Sequence, residues 1–262
     1  MQQQLKGKWA LITGASSGFG VDFAHLLAEL GANLILVARR TEPMQALASE
    51  LHKRHGIETR VIGLDLAQIE AASTLKAQTD ALGLEVDILI NNAGYGLFGE
   101  FLAQPLMNTR DMLQLNMLTL TELTHHYSQD MARRGGGHIL LVASIGGYQA
   151  TPSYAAYSAS KAYVLLFGEA LNQELKASNV KVSVLSPGIS ATAFLQVSGQ
   201  RPTLYQRLLM MRSRPVAQIG LRAMLRGKAS VVPGLLNKLT VLSNRLTPRP
   251  LQSRMAYQLM KN

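Results

Sequence analysis

The chain has 262 residues, 47% of them hydrophobic and 16% charged, with no cysteine and a net charge of +10. That length is enough to bury a substantial core, and the lack of cysteine excludes disulfides, zinc–thiolate sites and cysteine nucleophiles and suits a reducing compartment. No apolar run approaches the roughly 18 residues of a membrane span and residues 1–8 lack the apolar stretch of a secretory leader, so a soluble cytoplasmic protein is expected.

In chain order, apolar runs of strand length fall at residues 9–12, 34–37, 60–64, 88–90, 139–142 and 180–185. They are nearly continuous in hydrophobicity rather than alternating, as a parallel sheet covered on both faces requires. Stretches with helical spacing separate them: Val21, Ala24, Leu27, Ala28 and Leu30 ahead of a stop at Gly31, residues 44–51 after Thr41 with Pro43 in the first turn, and two longer candidates at 106–131 and 154–177. Strand and helix alternate at least six times. The fold class expected is therefore α/β, a Rossmann-type doubly wound parallel sheet in one domain spanning 1–262. Its core is expected over 5–195, with a substrate cover and helical extension over 189–262.

The first strand runs into Thr13-Gly14-Ala15-Ser16-Ser17-Gly18-Phe19-Gly20. Strand, glycine turn and helix form the context of a phosphate-binding loop, though the spacing is G-x-x-x-G-x-G rather than G-x-G-x-x-G. Gly14 allows a sharp exit from the strand, Gly18 lets backbone approach a pyrophosphate, and Gly20 lets the helix pack closely on the sheet. Ser16 and Ser17 add hydroxyls, and the helix N-terminus after them favours an anion. At the end of the second strand stand Arg39 and Arg40, with no carboxylate before Glu42. A forked guanidinium suits the 2′-phosphate of NADP(H), whereas NAD(H) sites usually place an acid here, so NADP(H) is the expected cofactor.

Tyr157 and Lys161 lie one helical turn apart. A tyrosine with a pKa of about 10 is a poor acid–base group at neutral pH, and a neighbouring ammonium lowers it. Ser144, just after the fifth strand, is placed to hydrogen-bond a reacting oxygen. Tyr154 is expected to be a wall or interface aromatic, and the six histidines form no coherent metal-ligand set.

Together, Thr13-Gly14-x-x-x-Gly18-x-Gly20, Asn91-Asn92-Ala93-Gly94, Asn116, Ser144, Tyr157-x-x-x-Lys161 and Pro187-Gly188-x-x-x-Thr192 resemble the short-chain dehydrogenase/reductases, in that family's order and with its spacings. The resemblance covers residues 5–195. It implies NADP(H)-dependent carbonyl reduction or alcohol oxidation, with Tyr157 as general acid or base and Lys161 lowering its pKa and holding the nicotinamide ribose. Ser144 would orient the carbonyl, and Asn116 would hold a water in a relay to Lys161. The cofactor would lie on Gly14, Ser16, Ser17, Gly18, Phe19 and Gly20, with Arg39, Arg40, Asp65 and Leu66 at its adenosine end. Asn92, Ala93 and Gly94 would form its wall, with Asn91 helping to shape it, and Pro187, Gly188 and Thr192 would line the nicotinamide end. The resemblance also implies a homodimer or homotetramer through residues 106–131 and 154–177. A non-catalytic NADP(H)-binding regulator is the alternative, and the presence of the full catalytic set weighs against it.

Beyond residue 188 the texture changes. Phe194, Leu195, Val197, Leu204, Tyr205, Leu208 and Leu209 suggest an apolar cover, and so a hydrophobic ketone or acyl-type small-molecule substrate. Glu174 is the last acidic residue. Fourteen Lys or Arg follow it, whereas the chain up to it carries twelve basic and sixteen acidic residues. This stretch is expected either to be a solvated basic face or to meet an anionic partner: a lipid surface, an acidic protein or a phosphate-bearing substrate. Nucleic acid is not expected, for there is no helix-turn-helix or aromatic–basic platform. Leu235, Leu239, Leu242 and Leu246 recur at helical spacing with Lys238 and Arg245 between them. They read either as an appended helix packed on the domain or as a substrate cover or membrane-surface helix.

Overall fold

The computed structural model describes residues 5–190, 194, 198–200 and 210–260. Seven parallel strands lie in the order β3-β2-β1-β4-β5-β6-β7. They are β1 (Trp9–Thr13), β2 (Asn33–Ala38), β3 (Thr59–Gly63), β4 (Val86–Asn91), β5 (Gly137–Val142), β6 (Val180–Leu185) and the two-residue β7 (Ser230–Val231). The doubly wound expectation holds, because strands as apolar as Leu34–Val37 and Ile88–Ile90 have no polar face to offer water.

Helices α1 (Phe19–Glu29), α2 (Thr41–His55) and α7 (Ser213–Leu225) cover one face of the sheet, and α3 (Ala71–Ala81), α5 (Leu120–Arg133) and α6 (Ala155–Glu174) the other. Phe23, Met44, Leu51, Val216 and Met224 belong to the first apolar layer, and Leu75, Leu123, Tyr127, Met131 and Val164 to the second. Successive connections leave β1 and β4 towards opposite sides of the sheet. Their C-terminal ends therefore open a crevice, the place where such sheets bind ligands.

Two helices differ from the sequence expectation. Thr41 is itself the first residue of α2 and Arg40 is the cap, so Arg40 sits where strand end and helix start meet. The stretch expected as one helix over 106–131 is α4 (Leu106–Leu113), a π-helical turn (Gln114–Thr119) and α5. Hydrophobic spacing does not register such an insertion, which adds a residue to a turn without ending the apolar stripe. Two further helices close the described chain, α8 (Leu235–Leu246) and α9 (Arg249–Met260).

Candidate active site

The crevice between the ends of β1 and β4 opens into a cavity of about 1060 Å3, large enough for a dinucleotide together with a second small molecule. Its floor is stapled by Thr13 and Asn92. The Thr13 hydroxyl accepts from the Asn92 and Ala93 amides, both at 3.0 Å, while the Asn92 side-chain amide donates to the Thr13 carbonyl at 2.9 Å. Thr13 was visible in the motif, but its role as the joint between the two strand ends depends on their pairing in space. Asn91, the neighbour of Asn92, turns the other way. Its amide donates to Thr124 Oγ1 at 2.9 Å, tying β4 to α5, and it does not line the cavity.

Gly14, Ser16, Ser17, Gly18 and Phe19 line one end of the cavity. Gly14 and Gly18 take positive φ of 68° and 56°, and Gly18 caps α1 with no side chain to occupy the first-turn amides. An anion can therefore reach those amides. Gly20 does not line the cavity, and its reason differs from the one expected. A side chain there would strike the Gly14 carbonyl and Ala15, so Gly20 lets α1 close on the loop itself rather than on the sheet.

Arg39 and Arg40 are exposed on the lip beside this loop, with Arg40 Nη2 donating to Ser16 Oγ at 3.5 Å. Asp65 and Leu66 line the same end, and Asp65 Oδ1 accepts from the Ala67 amide at 3.1 Å to shape the turn after β3. Among the described residues no three His, Cys, Asp or Glu side chains gather to hold a metal.

At the other end of the cavity lie Ser144, Tyr157, Lys161, Pro187 and Gly188, together with Ala93 and Gly94. Ser144 follows β5 in extended backbone, and its hydroxyl accepts from the Gly146 amide at 3.1 Å. Tyr157 and Lys161 share one face of α6. Lys161 is buried, and its ammonium donates to the Val142 carbonyl at 2.8 Å and lies 5.9 Å from the centre of the Tyr157 ring. Burial pulls Lys161 down to about 8. Burial pushes Tyr157 well above the usual tyrosine value, and the Ser144 hydroxyl draws it part of the way back.

Asn116 lies in the π-helical turn, completely buried and behind the cavity wall. Its amide nitrogen donates to the Tyr95 carbonyl (3.0 Å) and Ser160 Oγ (3.1 Å), while Oδ1 accepts from the Tyr95 amide at 3.2 Å. It thus clamps the loop after β4 onto α6. A side chain at Gly94 would lie 2.8 Å from Asn116 Oδ1 and 3.3 Å from Lys161 Nζ, so only a glycine fits against those two groups.

Several wall residues have no motif to announce them. Tyr154 is buried and pushed up to about 12 by burial, which leaves it a neutral donor. Its hydroxyl donates to Ser198 Oγ at 2.8 Å and lies 3.0 Å from Gln200 Oε1. Phe194 stacks beside Tyr154 with ring centres 6.3 Å apart and meets Tyr157 at 5.2 Å. Ser153, just before Tyr154, takes a φ of 66°, unusual for a side-chain-bearing residue. Asn237 of α8 is buried against Gly188 and donates to the Pro233 carbonyl at 2.8 Å. Thr192, with Leu195, Val197, Leu204, Tyr205, Leu208 and Leu209, lies outside the described residues.

The short chain dehydrogenase family model matches residues 8–202, which contain every one of these motif positions. The chain belongs to the short-chain dehydrogenase/reductase family. It is 36% identical over 198 residues to a very-long-chain 3-oxoacyl-CoA reductase of Phaeosphaeria nodorum, an alignment covering 73% of this chain and 58% of that one. A 7beta-hydroxysteroid dehydrogenase of Collinsella aerofaciens is 33% identical over 189 residues, covering 72% of this chain and 71% of that one. The chain thus spans less than two thirds of the length of the fungal reductase.

Among solved structures, a short-chain dehydrogenase from Sphingobium yanoikuyae in complex with NADPH superposes with a TM-score of 0.82 at 28% identity, covering 91% of this chain and 93% of that one. A 7beta-hydroxysteroid dehydrogenase structure reaches 0.87 at 27% identity, covering 98% and 99%. Both superpositions cover more of the chain than the family match over residues 8–202.

Proposed function

We propose that this short-chain dehydrogenase/reductase is an NADP(H)-dependent carbonyl reductase, working on an apolar ketone or acyl-type carbonyl with Tyr157 as its proton donor. The observation that carries this reading is the convergence of Ser144, Tyr157 and Lys161 at one end of a cavity whose other end holds the Gly14–Phe19 loop and Arg39–Arg40. The open amides of α1 and the paired guanidiniums fit a dinucleotide bearing a 2′-phosphate, and the NADPH complex of the Sphingobium relative supports that fit. Bound there, NADPH would supply the hydride.

This chain's own residues would do the rest. The Ser144 hydroxyl would donate a hydrogen bond to the carbonyl oxygen and the Tyr157 hydroxyl would give it a proton. Burial keeps Tyr157 protonated at neutral pH, the form that a proton donor must have. Lys161, pulled down to about 8, carries its proton below that pH and can resupply Tyr157 there, and is a neutral amine above it. Gly94 packs closely against both Asn116 Oδ1 and Lys161 Nζ, the two groups between which the relay is proposed to run. Gly94→Ala should press on Asn116 and Lys161 and lower kcat about tenfold or more while changing KM for NADPH less than about threefold. An unchanged kcat would remove the relay from the scheme.

The aromatic wall of Tyr154, Tyr157 and Phe194 supports an apolar substrate, as do the relatives, a very-long-chain 3-oxoacyl-CoA reductase and a 7beta-hydroxysteroid dehydrogenase. Residues 1–262 are proposed to work as one domain, since α8 and α9 line the same cavity as the phosphate loop. Exposed Leu118 and Leu166, on the two long helical stretches, support assembly of copies through those stretches. The test is a carbonyl panel with NADPH and NADH. Bulky apolar ketones should be turned over faster than small hydrophilic ones, and the reverse order would overturn the substrate class. NADPH binding without turnover of any carbonyl would favour the regulator reading instead.

A further inference from the structure

Helix α8 is built the opposite way round from an ordinary surface helix. Asn237, Thr240, Asn244 and Thr247 face inward and line the cavity. Leu235, Leu239, Leu242 and Leu246 recur every three or four residues on the other side, exposed by 72%, 52%, 54% and 84%. A helix whose apolar stripe packed on the domain would show the reverse. The apolar surface continues onto α9 with the exposed Leu251.

The charges carried by these two helices are all of one sign. Lys238 and Arg245 flank it on α8, Arg249 and Arg254 stand exposed on α9, and no acidic residue occurs after Glu174. Among the described residues, the only ion pair reaching this part of the chain joins Arg214 to Glu29, away from the stripe. No helix is long and apolar enough to cross a membrane. An apolar stripe bordered by uncompensated Lys and Arg is the make-up of a helix lying in a lipid interface. A second copy of this chain is a poor occupant, because a symmetric contact would set each basic flank against itself.

We propose that the outer face of α8 and α9 docks on the surface of an anionic lipid bilayer. The leucines enter the headgroup boundary and Lys238, Arg245, Arg249 and Arg254 meet the lipid phosphates. The inner face of the same helices walls the cavity, and Asn237 reaches Gly188 at its Ser144–Tyr157 end. Docking therefore brings the cavity to the phase into which apolar carbonyl compounds partition. That consequence rests on the proposed function; the docking itself does not.

Vesicle sedimentation of the full chain tests it. At low salt the protein should pellet with phosphatidylglycerol-containing vesicles and bind pure phosphatidylcholine vesicles at least about tenfold more weakly, the difference shrinking as salt is raised. L239E/L242E should lower partitioning about tenfold or more, and R245Q/R249Q should remove most of the preference for anionic lipid while preserving the leucines. Because these side chains face solvent, both variants should keep the wild-type melting temperature and turnover of a water-soluble ketone. Failure to pellet at low salt, or L239E/L242E binding as tightly as wild type, would overturn docking. So would a wild-type dimer that becomes monomeric in L239E/L242E without any vesicle binding, which would make a second copy the occupant. Capture by an acidic protein with no affinity for anionic vesicles would overturn it too. Ketone turnover is read separately, so loss of the catalytic reading and loss of the docking reading are distinguishable.

Discussion

Replacing Tyr157 by Phe should lower carbonyl turnover about a thousandfold, within the range that a positioned general acid contributes. The substitution removes one oxygen and keeps the ring that Phe194 and Tyr154 pack against. NADPH affinity should therefore stay within about twofold of wild type, and the melting temperature should not fall, since burying the hydroxyl already costs free energy here. Single-turnover measurement with saturating NADPH separates chemistry from binding. Turnover within tenfold of wild type would take the proton-donor role away from Tyr157 and leave Ser144 or bound water to supply it.

The second large effect is expected at the lip. Arg39→Ala together with Arg40→Ala should weaken NADPH binding between about tenfold and a hundredfold, because each guanidinium can make a charge-assisted bond to a phosphate. Both residues are exposed, so screening holds the effect towards the lower end and makes it salt-dependent. NADH has no 2′-phosphate, and its affinity should change less than threefold. Titration of wild type and double variant with both cofactors reads the difference directly. An equal loss for NADH would mean that the arginines hold the loop through contacts such as Arg40 to Ser16 rather than reading the phosphate.

Much of this was legible in the sequence. The buried strands were found to within two residues at each end, because a parallel strand covered on both faces must be apolar throughout. The loop, the arginine pair and the Ser144, Tyr157 and Lys161 set could be read because the family's chemistry fixes their types and spacing. Asn116 was legible as a position but not as a geometry. Only the π-helical turn, invisible to hydrophobic periodicity, shows it spending its amide on Tyr95 and Ser160.

The same division runs through the rest of the site. Asn91 and Asn92 look equivalent as a pair of letters, but alternation along β4 sends the first towards α5 and the second towards the crevice. Gly20 was assigned to sheet packing, and the atom it must clear belongs to the loop. Tyr154 and Phe194 were expected as a wall aromatic and part of a cover and do line the cavity, whereas Asn237 carries no signal, since a cavity wall needs only shape and polarity.

By itself, the sequence determined the sheet, the cofactor loop and which residues are proposed as the acid–base set, because local periodicity and fixed spacing encode them. It also showed the leucine stripe and the acid-free tail. Only the tertiary structure decided which way that stripe faces, because an amphipathic helix reads the same whether its apolar side meets a core or water. Likewise, only burial decided that Tyr157 is held above and Lys161 below their ordinary values. Desolvation depends on what surrounds a group in space, which spacing along the chain does not record.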